Sequence, residues 1–208
     1  MKLVDLNVRE YLDVLKSDAP APGGGSVSAL AGAQGAGLIM MVADLTIGKA
    51  KYADYEGNCI AAKEKAQKLY ESLVAAIDND TEAFNLVSAA YKLPKNTDEE
   101  KAARSKAISE ATLTATEVPF DTMELCYEGL LTAKELVGRS NPNAASDIGV
   151  AAQNLLAGVK GAWLNVRINL PGVKDNAKKT EFRFKGERLI AESEVIASEI
   201  EKTMDKLL

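Results

Sequence analysis

One carboxylate in this chain stands where a helix asks for a hydrocarbon. Tyr70, Leu73, Ile77, Phe84, Val87 and Tyr91 recur every three or four residues, and the position that completes the stripe between Ile77 and Phe84 is Asp80. Asp78, two residues earlier, is rotated by about 200° onto the polar face that carries Glu71 and Glu82. Burying a carboxylate costs on the order of several kcal/mol unless it is paired, so an inward Asp80 marks either a structural partner or a reaction. The chain has no histidine, which excludes the usual triads and disfavours a catalytic zinc or iron site. Proton chemistry then falls to Asp, Glu, Lys, Tyr or Cys, and no metal is expected.

A second chemical feature is the uncharged run from Ala19 to Ala43. Pro20 and Pro22 stiffen an extended approach, Gly23, Gly24 and Gly25 open backbone angles closed to other residues, and Ser26 is placed to cap the helix that follows. The expected result is a helix N-terminus with free amides facing a ligand. No Gly-Lys-Ser/Thr follows and no strand pattern precedes, so this is not a Walker loop. A third feature is Asn141-Pro142-Asn143-Ala144-Ala145-Ser146-Asp147, where Asp147 falls on the inward side early in a helix and serves either a site or its own helix terminus. Asn165 and Asn169 lie one turn apart and share a face. Lys49, Lys51, Lys92 and Lys95 flank these features as solvated ends or as cations for an anionic ligand.

The elements that must position these groups are helical. Asn7 is placed to cap a short helix through Leu15, and the small-residue helix is expected from Ser26 to about Gly48. A long helix is expected from about Tyr55 to Leu93, stopped by Pro94. Thr97 and Glu100 form a capping box for the next one, which Pro119 either kinks or restarts before Val137. Asn141-Pro142 reads as an N-cap followed by proline at the first helical position, opening a helix that Pro171-Gly172 ends. A last helix follows Asp175. Small residues at Gly25, Ala29 and Ala33, and again at Ser28, Gly32 and Ala36, let neighbouring helices approach closely. The fold expected is an all-α, single-domain bundle of long amphipathic helices spanning 1–208, with no internal repeat.

Composition narrows the class further. With 47% hydrophobic and 26% charged residues the chain folds, and its net charge of -5, without a basic-aromatic cluster, argues against nucleic-acid binding. The run from 19 to 43 is too rich in Gly, Ala and Gln to favour lipid, so no membrane span is expected. Met1-Lys2-Leu3-Val4 meets Asp5 at once, unlike a signal peptide, and Cys59 and Cys126 lack metal spacing; both fit reduced thiols in a cytoplasm. The surplus of small-residue surface on one helix predicts self-association, most simply as a homodimer.

Several segments together resemble the cyclodeaminase/cyclohydrolase family. They are Ala21-Pro22-Gly23-Gly24-Gly25-Ser26, Leu45-Thr46-Ile47-Gly48-Lys49, Asp78-Asn79-Asp80-Thr81-Glu82-Ala83-Phe84, Leu93-Pro94-Lys95-Asn96-Thr97, Ser146-Asp147 and Leu164-Asn165-Val166. The resemblance spans nearly the whole chain in the same order, and it looks like the family's single-domain form, with no formiminotransferase domain expected before it. It implies a dimeric all-helical fold, a tetrahydrofolate derivative as substrate, no cofactor and no metal. It also implies that Asp80 is catalytic, with Gly23, Gly24, Gly25, Ser26, Lys49, Lys95, Asn141, Asp147, Asn165 and Asn169 lining the folate pocket, and the lysines favouring a polyglutamate tail. Leu45-Thr46-Ile47-Gly48 and the stretch from Leu93 to Arg104 look closer to methenyltetrahydrofolate cyclohydrolases than to formiminotetrahydrofolate cyclodeaminases. A folate-binding or scaffold protein without turnover is the remaining alternative, and it requires Asp80 to be structural.

Overall fold

The computed structural model describes residues 2–207, and among them every regular element is a helix. Asn7 caps α1 (Val8–Leu15) in a reciprocal box: its side chain accepts from the Glu10 amide and the Glu10 carboxylate accepts from the Asn7 amide, each at 3.0 Å. Then come α2 (Gly24–Asp44), α3 (Glu56–Tyr91), α4 (Asp98–Leu136), α5 (Ala145–Asn169) and α6 (Asn176–Leu207). Thr97 and Glu100 make the expected box at the start of α4. Asp175 accepts the amides of Ala177 and Lys178 at the start of α6.

Helix α2 is the centre of the bundle. It runs antiparallel to α3, from Ser26 beside Ile77 to Asp44 beside Lys63, and antiparallel to α5, with Thr46 bonded to the Asn141 amide and Gly24 against Asn165. Helix α4 packs behind it, and α6 covers α5 and α4. Close approach is what the small residues provide: a Cβ on Gly35 would lie 2.9 Å from the Ala151 carbonyl and 2.6 Å from Leu155 Cγ. By length and composition α2 could cross a bilayer, but Ala29, Ala36, Ile39, Val42 and Ala43 are fully buried against its neighbours, as in a core helix.

Four expectations change. The helix begins at Gly24 with Gly23 as N-cap, so Ser26 lies inside the first turn, and it ends at Asp44 instead of Gly48. Asn141 caps only a 3-10 turn, Pro142–Ala144, and α5 starts after it. Pro119 does not restart the chain, because α4 is one helix of 39 residues. Proline leaves the carbonyl four residues back without its donor, and Asn169 Nδ2 supplies one to Ala115 O at 2.7 Å. Finally, the inward face of α3 is Leu73, Ala76, Ile77, Ala83 and Ala90, whereas Tyr70, Phe84 and Tyr91 are 40%, 41% and 57% exposed. The helices approach too closely for aromatic rings between them.

Candidate active site

Asp80 lies three residues after buried Ile77 and three before buried Ala83, so it remains on the inward face of α3. Its carboxyl meets the first turn of α2, where a helix N-terminus presents amides with no partner inside the helix. The Ser26 amide donates to Asp80 Oδ2 at 2.8 Å, and Ser26 Oγ lies 3.1 Å from the same oxygen and 2.9 Å from the Ile77 carbonyl. Asp80 Oδ1 sits against Gly25, where a Cβ would overlap it. Gly25 is thus required by contact with the carboxylate. The side chain is partly buried, not fully enclosed.

This environment raises the Asp80 pKa above the ordinary carboxylate value: burial pushes it up, and the Ser26 hydroxyl and amide only partly oppose that. Ser26 Oγ carries one proton. Donated to Asp80 it stabilises the carboxylate; donated to Ile77 O it turns a lone pair toward a protonated carboxyl. Both charge states of Asp80 therefore have a hydrogen-bonding partner, as a group that exchanges protons requires.

Tyr11, which the sequence reading did not single out, belongs to the same niche. It packs on Ala29, Ala76 and Ile77, is 8% exposed, and its hydroxyl is buried without a hydrogen-bond partner among the described residues. Burial raises its pKa and the charge of Asp80 raises it further, so the two groups are neighbours. The available signal was a phenol on the apolar face of α1, where packing needs no hydroxyl. Asp78 is also more than a solvated residue, because its Oδ1 accepts the Leu3 amide at 2.6 Å and ties the N-terminal segment to α3.

The expected pocket residues divide into two groups. Gly23, Gly24, Gly25, Ser26 and Asn165 gather around Asp80; Asn165 Nδ2 is 3.2 Å from where a Gly24 Cβ would lie, and it also donates to Gly161 O. Asn169 is close in sequence, but its amide is engaged by Ala115 O. Lys92 and Lys95 are exposed beyond the end of α3, roughly 17 Å along the helix from Asp80 at its 1.5 Å rise. Lys49, Asn141 and Asp147 lie at the other end of α2, about 30 Å from Ser26 by the same rise. There the Asn141 side chain accepts from Tyr52 Oη and the Asn143 amide and donates to Leu45 O. Asp147 occupies the first turn of α5, where the helix dipole favours it.

Comparison with known proteins gives the family. The profile of the formiminotransferase-cyclodeaminase family matches residues 7–188. A methenyltetrahydrofolate cyclohydrolase of Methylorubrum extorquens is 43% identical over 197 residues, covering 95% of each chain. A rat formimidoyltransferase-cyclodeaminase is 33% identical over 196 residues, and there the match spans 36% of the longer protein. The crystal structure of a formiminotetrahydrofolate cyclodeaminase from Thermotoga maritima superposes with a TM-score of 0.78 at 28% identity, over 98% of this chain and 96% of that one. With its glycine-rich helix start closed over an inward aspartate, and with similarity along nearly its full length, this chain belongs to the formiminotransferase-cyclodeaminase family.

Proposed function

We propose that this protein hydrolyses 5,10-methenyltetrahydrofolate to 10-formyltetrahydrofolate, with Asp80 as the acid/base. The observation that carries the proposal is the carboxyl of Asp80 held by Ser26 under the first turn of α2, its pKa raised by burial, in a chain matched over 95% of its length by a methenyltetrahydrofolate cyclohydrolase. The substrate carbon between N5 and N10 is part of a cationic amidinium, which a poorly solvated carboxylate stabilises. Water adds to that carbon as Asp80 takes one of its protons. The tetrahedral adduct then loses its hydroxyl proton to solvent, the C–N5 bond breaks, and N5 takes the proton held by Asp80. One proton is released per turnover, and no metal or cofactor is required. The chain has no histidine, and no cluster of metal-ligating side chains occurs among the described residues.

A second reading is the cyclodeaminase reaction, favoured by the likeness to the Thermotoga maritima structure. There N10 attacks a 5-formimino carbon and ammonia leaves, through the same type of adduct. Steady-state assay with 5,10-methenyl- and 5-formimino-tetrahydrofolate decides between them. Turnover of the first alone supports the hydrolase, turnover of the second alone supports the deaminase, and turnover of neither defeats both.

The proposal extends to a cytoplasmic homodimer that prefers polyglutamylated folate and binds neither nucleic acid nor membrane. Cys59 and Cys126 are buried free thiols, the second with its pKa pushed up to about 12 by burial, which suits a reducing compartment. Val27, Met41 and Leu45 on α2 and Val150, Leu164 and Ile168 on α5 are each at least 38% exposed, an apolar face for a second copy. Lys49, Lys51, Lys92 and Lys95 form no ion pair with a carboxylate among the described residues and are free to meet an anionic tail.

A further inference from the structure

Two polar atoms beside α2 lack a partner within the chain, and they are complementary. The first is the Tyr11 hydroxyl, a donor enclosed by the protein and bonded to nothing among the described residues. The second is the acceptor Asp80 Oδ1: Ser26 directs both its amide and its hydroxyl to Oδ2, and Oδ1 receives no donor from the described residues. The two differ in their access to water. Tyr11 is buried, whereas Asp80 is only partly so and Oδ1 keeps an edge on solvent, which hydrates it.

Packing brings them near each other. Tyr11 lies on Ala76 and Ile77 of α3, four and three residues before Asp80, and on Ala29 of α2, three residues after Ser26. Residues at those spacings share one helix face, so the phenol stands one turn from the Asp80 and Ser26 pair on both helices at once. Hydrocarbon surrounds it there, and a phenylalanine would fill the same space; the hydroxyl is the part of the side chain that packing does not use. Among the described residues Asp80 is the one charge that acts on it. The elements around the pair bring no competing charge. Helix α2 is uncharged from Gly24 to Ala43, α5 offers the Asn165 amide, and α4, antiparallel to α3 from the contact of Arg104 with the Tyr91 carbonyl, is uncharged from Ala111 to Thr116. On α3 the Asp78 carboxylate accepts the Leu3 amide, and on α1 Glu10 is held by Asn7 and Asp13 by Lys16.

Substrate binding changes the balance. A cationic ring set against Asp80 displaces the water on Oδ1, and a carboxylate that has lost its hydration needs a donor from the protein. We propose that Tyr11 is that donor: in the enzyme–substrate complex its hydroxyl closes on Asp80 Oδ1 and keeps the carboxylate ionised, ready to take a proton from the attacking water. Tyr11 is thus a positioning residue that acts through Asp80, and the hydroxyl that the fold leaves unpaired is held in reserve for this step, as catalytic hydrogen bonds tighten when substrate arrives. This rests on the folate-enzyme reading above.

The pH dependence of turnover in Tyr11→Phe tests it. The variant keeps the ring and removes one unpaired atom, so it folds. The pH profile of kcat/KM reports ionisation in the free enzyme, and that of kcat reports ionisation in the complex. With 5,10-methenyltetrahydrofolate as substrate, the acidic limb of kcat is expected to move up by about one pH unit in the variant, which lowers kcat about tenfold at a fixed pH on that limb. The acidic limb of kcat/KM is expected to stay in place. A side chain that serves the fold alone would not separate the two profiles. An unmoved limb of kcat would overturn the proposal by leaving the hydroxyl without a part in the complex, and equal movement of both limbs would overturn it by placing the bond to Asp80 in the free enzyme. Absence of wild-type turnover of this substrate would instead overturn the hydrolase reading on which it rests.

Discussion

At the scale of the residue, Asp80 holds its proton more tightly in the folded chain than in the unfolded one, because burial outweighs the two hydrogen bonds from Ser26. That has a consequence for stability whose sign is fixed. A raised pKa contributes stability fully present below the ordinary value of 3.8 and lost as pH rises through the folded value, since the folded state binds more protons in between. Asp80→Asn keeps the volume and an acceptor for the Ser26 amide but has no charge to desolvate. It is expected to match or exceed the wild type in thermal midpoint at pH 7, while kcat/KM for methenyl-ring opening falls by about 10²–10⁴, the usual worth of one acid/base group. A variant with near wild-type turnover would remove Asp80 from the chemistry. Tyr11→Phe isolates the neighbouring hydroxyl. An unpartnered buried hydroxyl costs about 1–3 kcal/mol, so the phenylalanine variant is expected to unfold at higher urea than the wild type. A lower midpoint would show that the hydroxyl has a partner in solution.

At the scale of the element, α4 crosses Pro119 because another helix supplies the missing hydrogen bond. Asn169→Leu leaves the Ala115 carbonyl without a donor in the interior, at an expected cost of about 1–3 kcal/mol in chemical denaturation. Pro119→Ala restores a backbone N–H for that carbonyl, so the double variant should recover most of the loss; simple additivity would refute the pairing. This contact also shows where sequence reading stops. Helix class, the Asn7 cap, the Thr97–Glu100 capping box and the small-residue packing of α2 were legible, because capping and periodicity are local and the residues that encode them lie within one or two turns. Asp80 was legible as an inward carboxylate for the same reason, although the aromatic residues chosen to define its stripe proved exposed and alanines carry the true face. The Asn169 to Ala115 bond joins positions 54 apart, and the two-ended distribution of Gly23 and Lys49 depends on the antiparallel course of α2. Neither leaves a trace in spacing.

At the scale of the whole molecule, the proposed preference for a polyglutamate tail raises the question of how a protein of net charge -5 would attract a chain of carboxylates. Global repulsion would have to be overcome locally, and the cations proposed to do so are Lys49, Lys51, Lys92 and Lys95, which are all exposed and form no ion pair with a carboxylate among the described residues. Their attraction acts through water over distances comparable to the Debye length, about 10 Å at 0.1 M salt, and is therefore screened. In the proposed complex the cationic ring lies beside Asp80 in a partly desolvated niche and would depend less on the medium. Two observables separate these contributions. Methenyltetrahydrofolate with several glutamates is expected to show a lower KM than the monoglutamate at low ionic strength, with kcat unchanged, because the tail lies far from the reacting carbon. Raising salt should bring the two KM values together without altering the kcat of either. Equal KM values for both tail lengths at low salt would exclude the lysines from tail binding, and a difference that persists undiminished at 1 M salt would assign it to contacts other than exposed charge.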